Sequence, residues 1–309
     1  MNIGIIGRSE YTFNSMIKAK EKGHKIAFIV TSKESPEFKY SSDDFKAYAA
    51  ENEIPFLYEP KLSLQTLNSL GGIKEADICI SVNYSGVIPQ SVIERFPLGI
   101  LNAHGGDLPR YRGNACQAWA LINGEDQIGL CIHNMIGGEL DSGPIIERSY
   151  FPIDINTRIQ QVYDWMDEEI PILMVKALNN LENDSNCILE KQSKDPRDAL
   201  RCYPRKPEDG RIDWTKDAED IVRLINASSE PYSGAFSYLE DEKVIIWRAE
   251  VVADHESWCG IPGQVASLSS EGFAEILCGN GKVRVKVIEI DGSRVAPAEK
   301  IKSLRSRLS

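Results

Sequence analysis

The sequence has no C-x-x-C pair, no basic start followed by an apolar segment, and no apolar run near the ~20 residues of a membrane span. We therefore expect a cytoplasmic protein with no membrane partner. The seven cysteines are scattered and odd in number, which indicates reduced thiols and argues against a disulfide framework or a zinc site. The four histidines, at positions 24, 104, 133 and 255, form no cluster of metal ligands in the sequence, so we expect no metal.

Positive charge is in deficit. The chain has 35 lysines and arginines against 46 aspartates and glutamates, a formal net charge of -11 at pH 7. Binding to a nucleic-acid backbone depends on cations that neutralise phosphates, so this balance predicts no nucleic-acid partner. The densest basic cluster, from Arg201 to Arg211, is interrupted by acids and is typical of a solvated connection.

Apolar strands and helices alternate in the first half of the chain. The runs NIGII, KIAFIVT, IPFLYE, DICISV and GILNAH are nearly continuous apolar segments separated by stretches with helical spacing. This alternation predicts an α/β domain with a mainly parallel, Rossmann-like sheet buried on both faces. A longer helical face runs from Ile159 to Leu181 and contains Pro171, which predicts a kink or a break into two helices there.

The second half has a different pattern. With 309 residues of which 42% are hydrophobic, the chain is long enough for two domains. We place a catalytic domain at 1–183, a polar linker at 184–204 and a carboxyl-terminal domain at 205–309. The last contains one helix, AEDIVRLINA, and several short strand-like runs separated by turns, so we expect a small β-rich domain, an antiparallel barrel (OB-like) or sandwich.

Two motifs carry candidate chemistry. If GILNAH is extended, Asn102 and His104 lie on the same face of a strand, although a single histidine there could equally be a satisfied core group. Asp141 follows two glycines in a D-S-G turn, where it either caps its own backbone or meets His104 in space. The opening IGIIGRSE lacks the third glycine of a dinucleotide motif, so a simple strand-to-loop turn is favoured.

The combination of LNAHGGDLPRYRG with GGELDSGPII resembles the signature of folate-dependent formyltransferases. The segments PRKPEDGRIDWTKDAEDIVRLINASSEPYSGAF and GIPGQV resemble the carboxyl-terminal domain shared by methionyl-tRNA formyltransferase and several sugar N-formyltransferases. The resemblance implies the formyltransferase fold, N10-formyltetrahydrofolate as formyl donor, and catalytic roles for Asn102, His104 and Asp141. The family often has serine and leucine in the HGGDLP segment, from which Gly105, Gly106 and Asp107 depart.

These residue types suit transfer of a formyl group to an amine. A tetrahedral intermediate carries an oxyanion, and an amide donor such as Asn102 typically lowers the barrier by ~3–4 kcal/mol. His104, with an ordinary pKa near ~6.5, can accept the proton that the amine loses. Asp141 would orient His104 and stabilise its charged form, whereas His133 is interpreted as structural.

The resemblance also implies two sets of binding residues. The folate is expected against the VNYSGVIP loop and the glycine turn before Asp141, with contacts from Asn83, Tyr84, Ile88, Gly138 and Glu139. The acceptor is expected against the first loop and the RYRGNACQ segment, with contacts from Arg8, Ser9, Tyr11, Arg112, Asn114 and Gln117.

Two acceptors fit this fold: a nucleotide-linked amino sugar, as in glycan biosynthesis, and methionyl-tRNA. The carboxyl-terminal half carries the acids Glu240, Asp241, Glu242, Glu250, Asp254 and Glu256. Because tRNA binding needs a cationic surface, these acids favour the amino sugar. A non-catalytic folate-binding or nucleotide-binding module is the third hypothesis, and the intact Asn, His and Asp set argues against it. By resemblance, the enzyme could form a homodimer.

Overall fold

The structure is a computed structural model that describes residues 1–36, 38–254 and 256–309. The first half contains, in chain order, β1 Asn2–Gly7, α1 Glu10–Glu21, β2 Lys25–Thr31, α2 Ser42–Glu51, β3 Phe56–Tyr58, α3 Leu64–Asn68, β4 Ile78–Val82, α4 Gln90–Ile93, β5 Ile100–His104, β6 Arg112–Gly113, α5 Cys116–Asn123, β7 Gln127–Asn134, β8 Ile145–Pro152 and α6 Ile159–Asn183. The rest contains β9 Arg201–Cys202, α7 Ala218–Ser228, β10 Ala235–Leu239, β11 Glu242–Val251, β12 Val265–Leu268, β13 Ala274–Leu277, β14 Lys282–Ile290, β15 Ser293–Val295 and α8 Pro297–Lys300.

The chain divides into two compact units. The first consists of Met1–Gly113, Gly129–Phe151 and Asp164–Cys202, and the second of Asn114–Ile128, Pro152–Tyr163 and Tyr203–Ser309. Part of the predicted linker, the stretch up to Cys202, therefore belongs to the first unit. Within it, Glu190 forms a β-bridge with Ile145, and β9 pairs in parallel with β6. The limits 1–183 and 205–309 as independent domains stay a prediction.

A seven-stranded sheet forms the first unit, in the order β3-β2-β1-β4-β5-β7-β8. The pairs among β1 to β5 are parallel, and β7 pairs antiparallel with β5. The prediction of a mainly parallel sheet is confirmed. The central strands are buried because their apolar side chains project to both faces, and their carboxyl ends open into loops, where ligands bind in sheets of this kind.

Helix α6 continues through Pro171 as one helix, so of the two predicted alternatives the break into two helices is wrong, and the kink stays a prediction. The predicted apolar face is buried from Ile159 to Leu181. A proline inside a helix costs ~3 kcal/mol, whereas each large apolar side chain buried against a core contributes ~1.5–3 kcal/mol. Packing of this face therefore outweighs the lost backbone hydrogen bond.

The second unit contains an antiparallel sheet of six strands, in which β10, β11, β14, β13 and β12 follow one another and β15 pairs with β14. The amphipathic helix α7 buries Ile221, Val222 and Ile225 in the same apolar cluster as strand residues such as Ile246 and Val285. The prediction of a β-rich, antiparallel domain in this half is confirmed. No helix in the described part of the chain is both long and apolar enough to cross a membrane.

Candidate active site

Strand β5 brings Asn102 and His104 to the carboxyl end of the central sheet. The strand pairs with β4 on one side and β7 on the other. His104 is buried and Asn102 half-buried, and both side chains contact residues of the β7 edge and the loop that follows it. The alternation of side chains along β5 thus places an amide and an imidazole beside one another, as the extended GILNAH segment predicts.

Asp141 lies within reach of His104. One carboxylate oxygen, Oδ2, is 3.5 Å from His104 Nδ1 and accepts a hydrogen bond of 2.9 Å from the backbone N–H of Gly113. On the other side of the ring, His104 Nε2 donates to the carbonyl oxygen of Tyr111 at 2.6 Å. Asp141 and Tyr111 both have positive φ, 46° and 54°. Such strained residues persist only where surrounding contacts hold them, and they concentrate at functional sites.

His133 is a fourth member of this cluster, which the sequence analysis interpreted as structural. Its Nδ1 lies 2.9 Å from the carbonyl oxygen of Asn134, so Nδ1 carries a proton. In the neutral ring Nε2 is then an acceptor, and it lies 3.1 Å from Asn102 Nδ2. His133 Nε2 is also 3.7 Å from Asp141 Oδ1. The contact between His133 and Asn102 follows from the strand register, because the two residues lie directly opposite one another in the β5–β7 pair.

Burial and charge set the protonation states of the site. Burial lowers the pKa of His104 below its ordinary value of 6.5, against the opposing effects of the Asp141 charge and the Tyr111 carbonyl. Burial by itself raises the pKa of Asp141, but the interactions with His104 and His133 and the Gly113 N–H outweigh it and hold this pKa well below its usual range. Asp141 is therefore ionised and His104 neutral at pH 7.

The loop after β5 is shaped by a glycine at position 106. A Cβ atom there would lie 2.2 Å from the Tyr111 carbonyl oxygen and 2.6 Å from His104 Nε2. Gly106 therefore permits the close contact between His104 and Tyr111. Asp107, a further departure from the family pattern, accepts hydrogen bonds from Arg148 and from the Tyr150 hydroxyl.

The residues expected at the folate site lie on two adjoining loops. Asn83 is exposed with a φ of 54°, Tyr84 donates its hydroxyl to the Glu59 carbonyl, and Ile88 is buried in the core. Gly138 has a φ of 80° with open space around it, and Glu139 is exposed. The loops meet where Gln90 Oε1 accepts a hydrogen bond of 2.7 Å from the Gly137 N–H.

The residues expected to bind the acceptor fall into both units. Arg8 Nε donates to the Asn83 carbonyl at 2.6 Å, and Ser9 Oγ lies 3.3 Å from Asn83 Nδ2. Tyr11 is buried. Arg112 donates to Gln192 and is among the charges that act on His104. In the second unit, Asn114 is exposed and Gln117 half-buried at the start of α5.

His255, one of the four histidines weighed as metal ligands, lies outside the described residues. Across residues 1–36, 38–254 and 256–309, no three His, Cys, Asp or Glu side chains converge as a metal site.

Two stretches of the chain match formyl transferase models. Residues 1–178 match the formyl transferase family model and residues 205–305 match the formyl transferase carboxyl-terminal domain. The chain belongs to the formyl transferase family. It is an N-formyltransferase that takes its formyl group from N10-formyltetrahydrofolate.

Among its sequence relatives is the methionyl-tRNA formyltransferase of Citrifermentans bemidjiense, 29% identical over 304 residues that cover 96% of this chain and 92% of the relative. Six further relatives, 26–28% identical, carry the same name.

WlaRD and HypX are among the solved structures that share the fold. WlaRD, a sugar 3N-formyltransferase solved with dTDP and 5-N-formyl-THF, has a TM-score of 0.67 at 19% identity, covering 95% of this chain and 98% of its own. HypX from Aquifex aeolicus, solved with tetrahydrofolic acid, has a TM-score of 0.58 at 20% identity, covering 98% of this chain; this chain spans 47% of HypX. At such identities the likeness shows the fold alone.

The sequence relatives overturn two predictions, the nucleotide-linked amino sugar as acceptor and the absence of a nucleic-acid partner. Both rested on the net charge and on the acids of the second half. Net charge sums the whole surface, whereas a nucleic acid contacts one local patch. The basic cluster at 201–211 is interrupted by acids, whereas the segment KIKSLRSRLS contains Lys300, Lys302, Arg305 and Arg307 without an acid.

Proposed function

We propose that this enzyme formylates the α-amino group of methionyl-tRNA. The observation that carries the proposal is the match to methionyl-tRNA formyltransferases along nearly the full length of both chains, together with the cluster of Asn102, His104 and Asp141 at the sheet edge. A cytoplasmic location is part of the same proposal, in keeping with seven cysteines that form no disulfide in the part of the chain that the structure describes.

Asn102 is proposed to hold the formyl oxygen. When bound, N10-formyltetrahydrofolate supplies a formyl carbon that an amine can attack, and its oxygen gains negative charge. One N–H of Asn102 Nδ2 faces His133 Nε2 at 3.1 Å, which leaves the second N–H of the same nitrogen to donate to that oxygen. A donor fixed before the reaction stabilises the developing charge without reorganisation.

His104 is proposed to accept, at Nδ1, the proton that the attacking amine loses, because Nε2 already carries the proton that it donates to the Tyr111 carbonyl. Its lowered pKa keeps the ring neutral at pH 7, and the ionised Asp141 beside Nδ1 stabilises the imidazolium once it forms. A base must be neutral before proton transfer and stabilised as an imidazolium after it; burial meets the first need and Asp141 the second. The imidazolium can then return the proton to the departing folate nitrogen as the bond between that nitrogen and the formyl carbon breaks.

The two loops that meet at Gln90 and Gly137 are proposed to hold the folate. Val87, Ile136 and Leu140 are exposed apolar side chains on these loops, and a flat ring would cover them. The backbone at Gly138 is open to close approach, and the backbone groups of Gly138 and Glu139 can hydrogen-bond the polar edge of the ring. In this arrangement Asn83 and Tyr84 border the site, and the buried Ile88 supports it from below.

The basic segment at the end of the second unit is proposed to contact tRNA phosphates. Its four cations, Lys300, Lys302, Arg305 and Arg307, are all exposed, and none forms an ion pair with any residue that the structure describes. Buried Ile301 and Leu308 fix the segment, and Leu308 forms a β-bridge with Leu239. Fixed, unpaired cations can release the counterions of a nucleic acid on binding.

The test is a rate measurement with methionyl initiator tRNA and N10-formyltetrahydrofolate, in which formylmethionine is quantified after hydrolysis of the ester. We expect rapid formylation of methionyl-tRNA and negligible formylation of free methionine, because free methionine lacks the tRNA contacts. Equal rates with both, or transfer only to another amine, would overturn the proposal.

Reversing two charges of the basic segment should weaken tRNA binding. For Lys302→Glu combined with Arg305→Glu, we expect the KM for methionyl-tRNA to rise at least about tenfold. The slope of log K for tRNA binding against log salt concentration should become shallower by the contribution of ~2 phosphate contacts. The KM for the folate should stay unchanged. Lys22→Glu combined with Lys46→Glu, two exposed lysines of the first unit, changes the net charge equally and should leave tRNA binding as it was.

The titration of His104 offers a pH test. Because burial lowers its pKa, the NMR titration of this imidazole should have its midpoint below ~6.5. The signal is assigned by its loss in His104→Gln. The unfolded chain binds this proton more tightly than the folded chain, so His104 should lower the stability of the fold as the pH falls below ~6.5. A midpoint above 6.5 would contradict the role of a neutral base.

A further inference from the structure

Gln192 connects the two loops on either side of the catalytic carboxylate. Its Nε2 donates to the carbonyl oxygens of Asp141 at 2.8 Å and of Gly143 at 2.7 Å. Its Oε1 accepts from Arg112 Nε at 3.2 Å and Arg112 Nη2 at 2.6 Å. The side chain is half-buried and lies in the stretch that composition alone assigns to a linker.

The backbone that Gln192 holds is strained. Asp141 has a φ of 46°, a conformation that residues with a Cβ adopt only when neighbouring contacts enforce it. Gly143 packs so closely against the Asn134 carbonyl that a Cβ would lie 1.7 Å from that oxygen. Gln192 therefore binds two carbonyls of the turn 141–143, and the conformation of this turn determines where the Asp141 side chain points.

The contact is not isolated. Glu190, two residues earlier, forms an antiparallel bridge with Ile145, and β9 pairs in parallel with β6. Strand β6 ends at Gly113, the residue whose N–H binds Asp141 Oδ2. The segment from Glu190 to Cys202 thus supports Asp141 in two ways. Gln192 binds the Asp141 backbone carbonyl, and β9 pairs with β6, whose Gly113 N–H binds the Asp141 carboxylate.

We propose that Gln192 is a positioning residue for formyl transfer, which holds Asp141 against His104 by donating to the carbonyls of Asp141 and Gly143. Without these two hydrogen bonds the turn relaxes and the carboxylate leaves the imidazole. His104 is faced by the charge of Asp141, by His133, by Arg112 and by the Tyr111 carbonyl. Of these groups, Asp141 is the one whose charge favours the imidazolium.

An isosteric substitution separates donation from packing. Gln192→Glu keeps the size of the side chain and an acceptor for Arg112, but it can no longer donate to the two carbonyls. We expect Gln192→Glu and Gln192→Ala each to lower kcat about tenfold, with KM for both substrates changed less than about twofold, because a small displacement of a catalytic group mainly affects the transition state. Gln65→Ala, at an exposed glutamine of α3, is the matched control.

A second measurement does not depend on the acceptor. In Gln192→Ala, the NMR titration midpoint of His104 should fall below that of the wild type, because the charge that raises it has moved away. Gln65→Ala should leave this midpoint unchanged. An unchanged midpoint in Gln192→Ala, or wild-type kcat in Gln192→Glu, would overturn the positioning role.

A double-mutant cycle excludes a purely structural role. If Gln192 acts through Asp141, then Gln192→Glu should cause no further loss of kcat in an Asp141→Asn background. An equal loss in both backgrounds would contradict the proposal. The kinetic readout rests on methionyl-tRNA as the acceptor: an inactive wild type would refute the proposed function, and the His104 titration would still decide the role of Gln192.

Discussion

Replacing His104 by alanine is expected to lower kcat for formyl transfer at least about a hundredfold and to leave folate affinity nearly unchanged. The same holds for Asn102→Ala, since loss of one donor to a developing negative charge typically costs 10²–10³ in kcat. Both side chains are proposed to act mainly in the transition state, so their removal should affect turnover more than binding. Steady-state kinetics with methionyl-tRNA and a folate-binding titration measure the two effects.

The two losses should not multiply. In the proposed mechanism Asn102 and His104 act on the same reacting centre, so the double variant should lose less than the product of the single losses. His24→Gln, a buried histidine outside the site, should keep wild-type turnover. If the pair were only a satisfied polar contact in the sheet, the alanine variants would melt at lower temperature and keep near-normal turnover per folded molecule. That result would refute the site.

Strand periodicity explains why half of the site could be predicted. The alternation of side chains along Ile100–His104 determines that Asn102 and His104 share a face, and this information is local. The meeting of His104 with Asp141 is not local, because it depends on the pairing of β5 with β7 and on a turn of positive φ. From the residues alone, Asp141 had two interpretations, and only the family resemblance favoured the catalytic one.

His133 and Gln192 show what the sequence analysis missed. His133 lies on an apolar strand, where a histidine is usually structural, and its contact with Asn102 follows from the antiparallel register of two distant segments. Gln192 lies in a polar stretch without periodicity, so composition predicts a linker. Its hydrogen bonds to Asp141 and Gly143 arise because Glu190 pairs with Ile145 and brings the chain back to the sheet edge.

The acceptor was the largest error, and its cause is physical. Charge balance describes long-range attraction, whereas recognition depends on where charges are fixed and unpaired. Lys282 and Arg284, for instance, are neutralised by acids within the second unit. Arg305 and Arg307 are exposed on a segment that contains no acid. A count of charged residues includes both pairs of cations equally, whereas the structure shows that acids neutralise the first pair and that the second pair is exposed.

The second large effect is expected for Asp141. Asp141→Asn keeps the shape of the side chain and an oxygen that can accept from the Gly113 N–H, but it removes the charge from the face of His104. The pKa of Asp141 is held well below its usual range, so the wild-type side chain is ionised throughout the working pH range. Without that charge the imidazolium is less stable, and we expect kcat to fall at least about a hundredfold.

The accompanying titration makes this prediction specific. The Asp141 charge opposes the effect of burial on His104, so its removal should lower the NMR midpoint of the His104 imidazole further below 6.5. Asp107→Asn, at a half-buried aspartate paired with Arg148, should leave kcat and the His104 midpoint close to the wild type. Wild-type turnover in Asp141→Asn would show that the carboxylate supports only the backbone through Gly113.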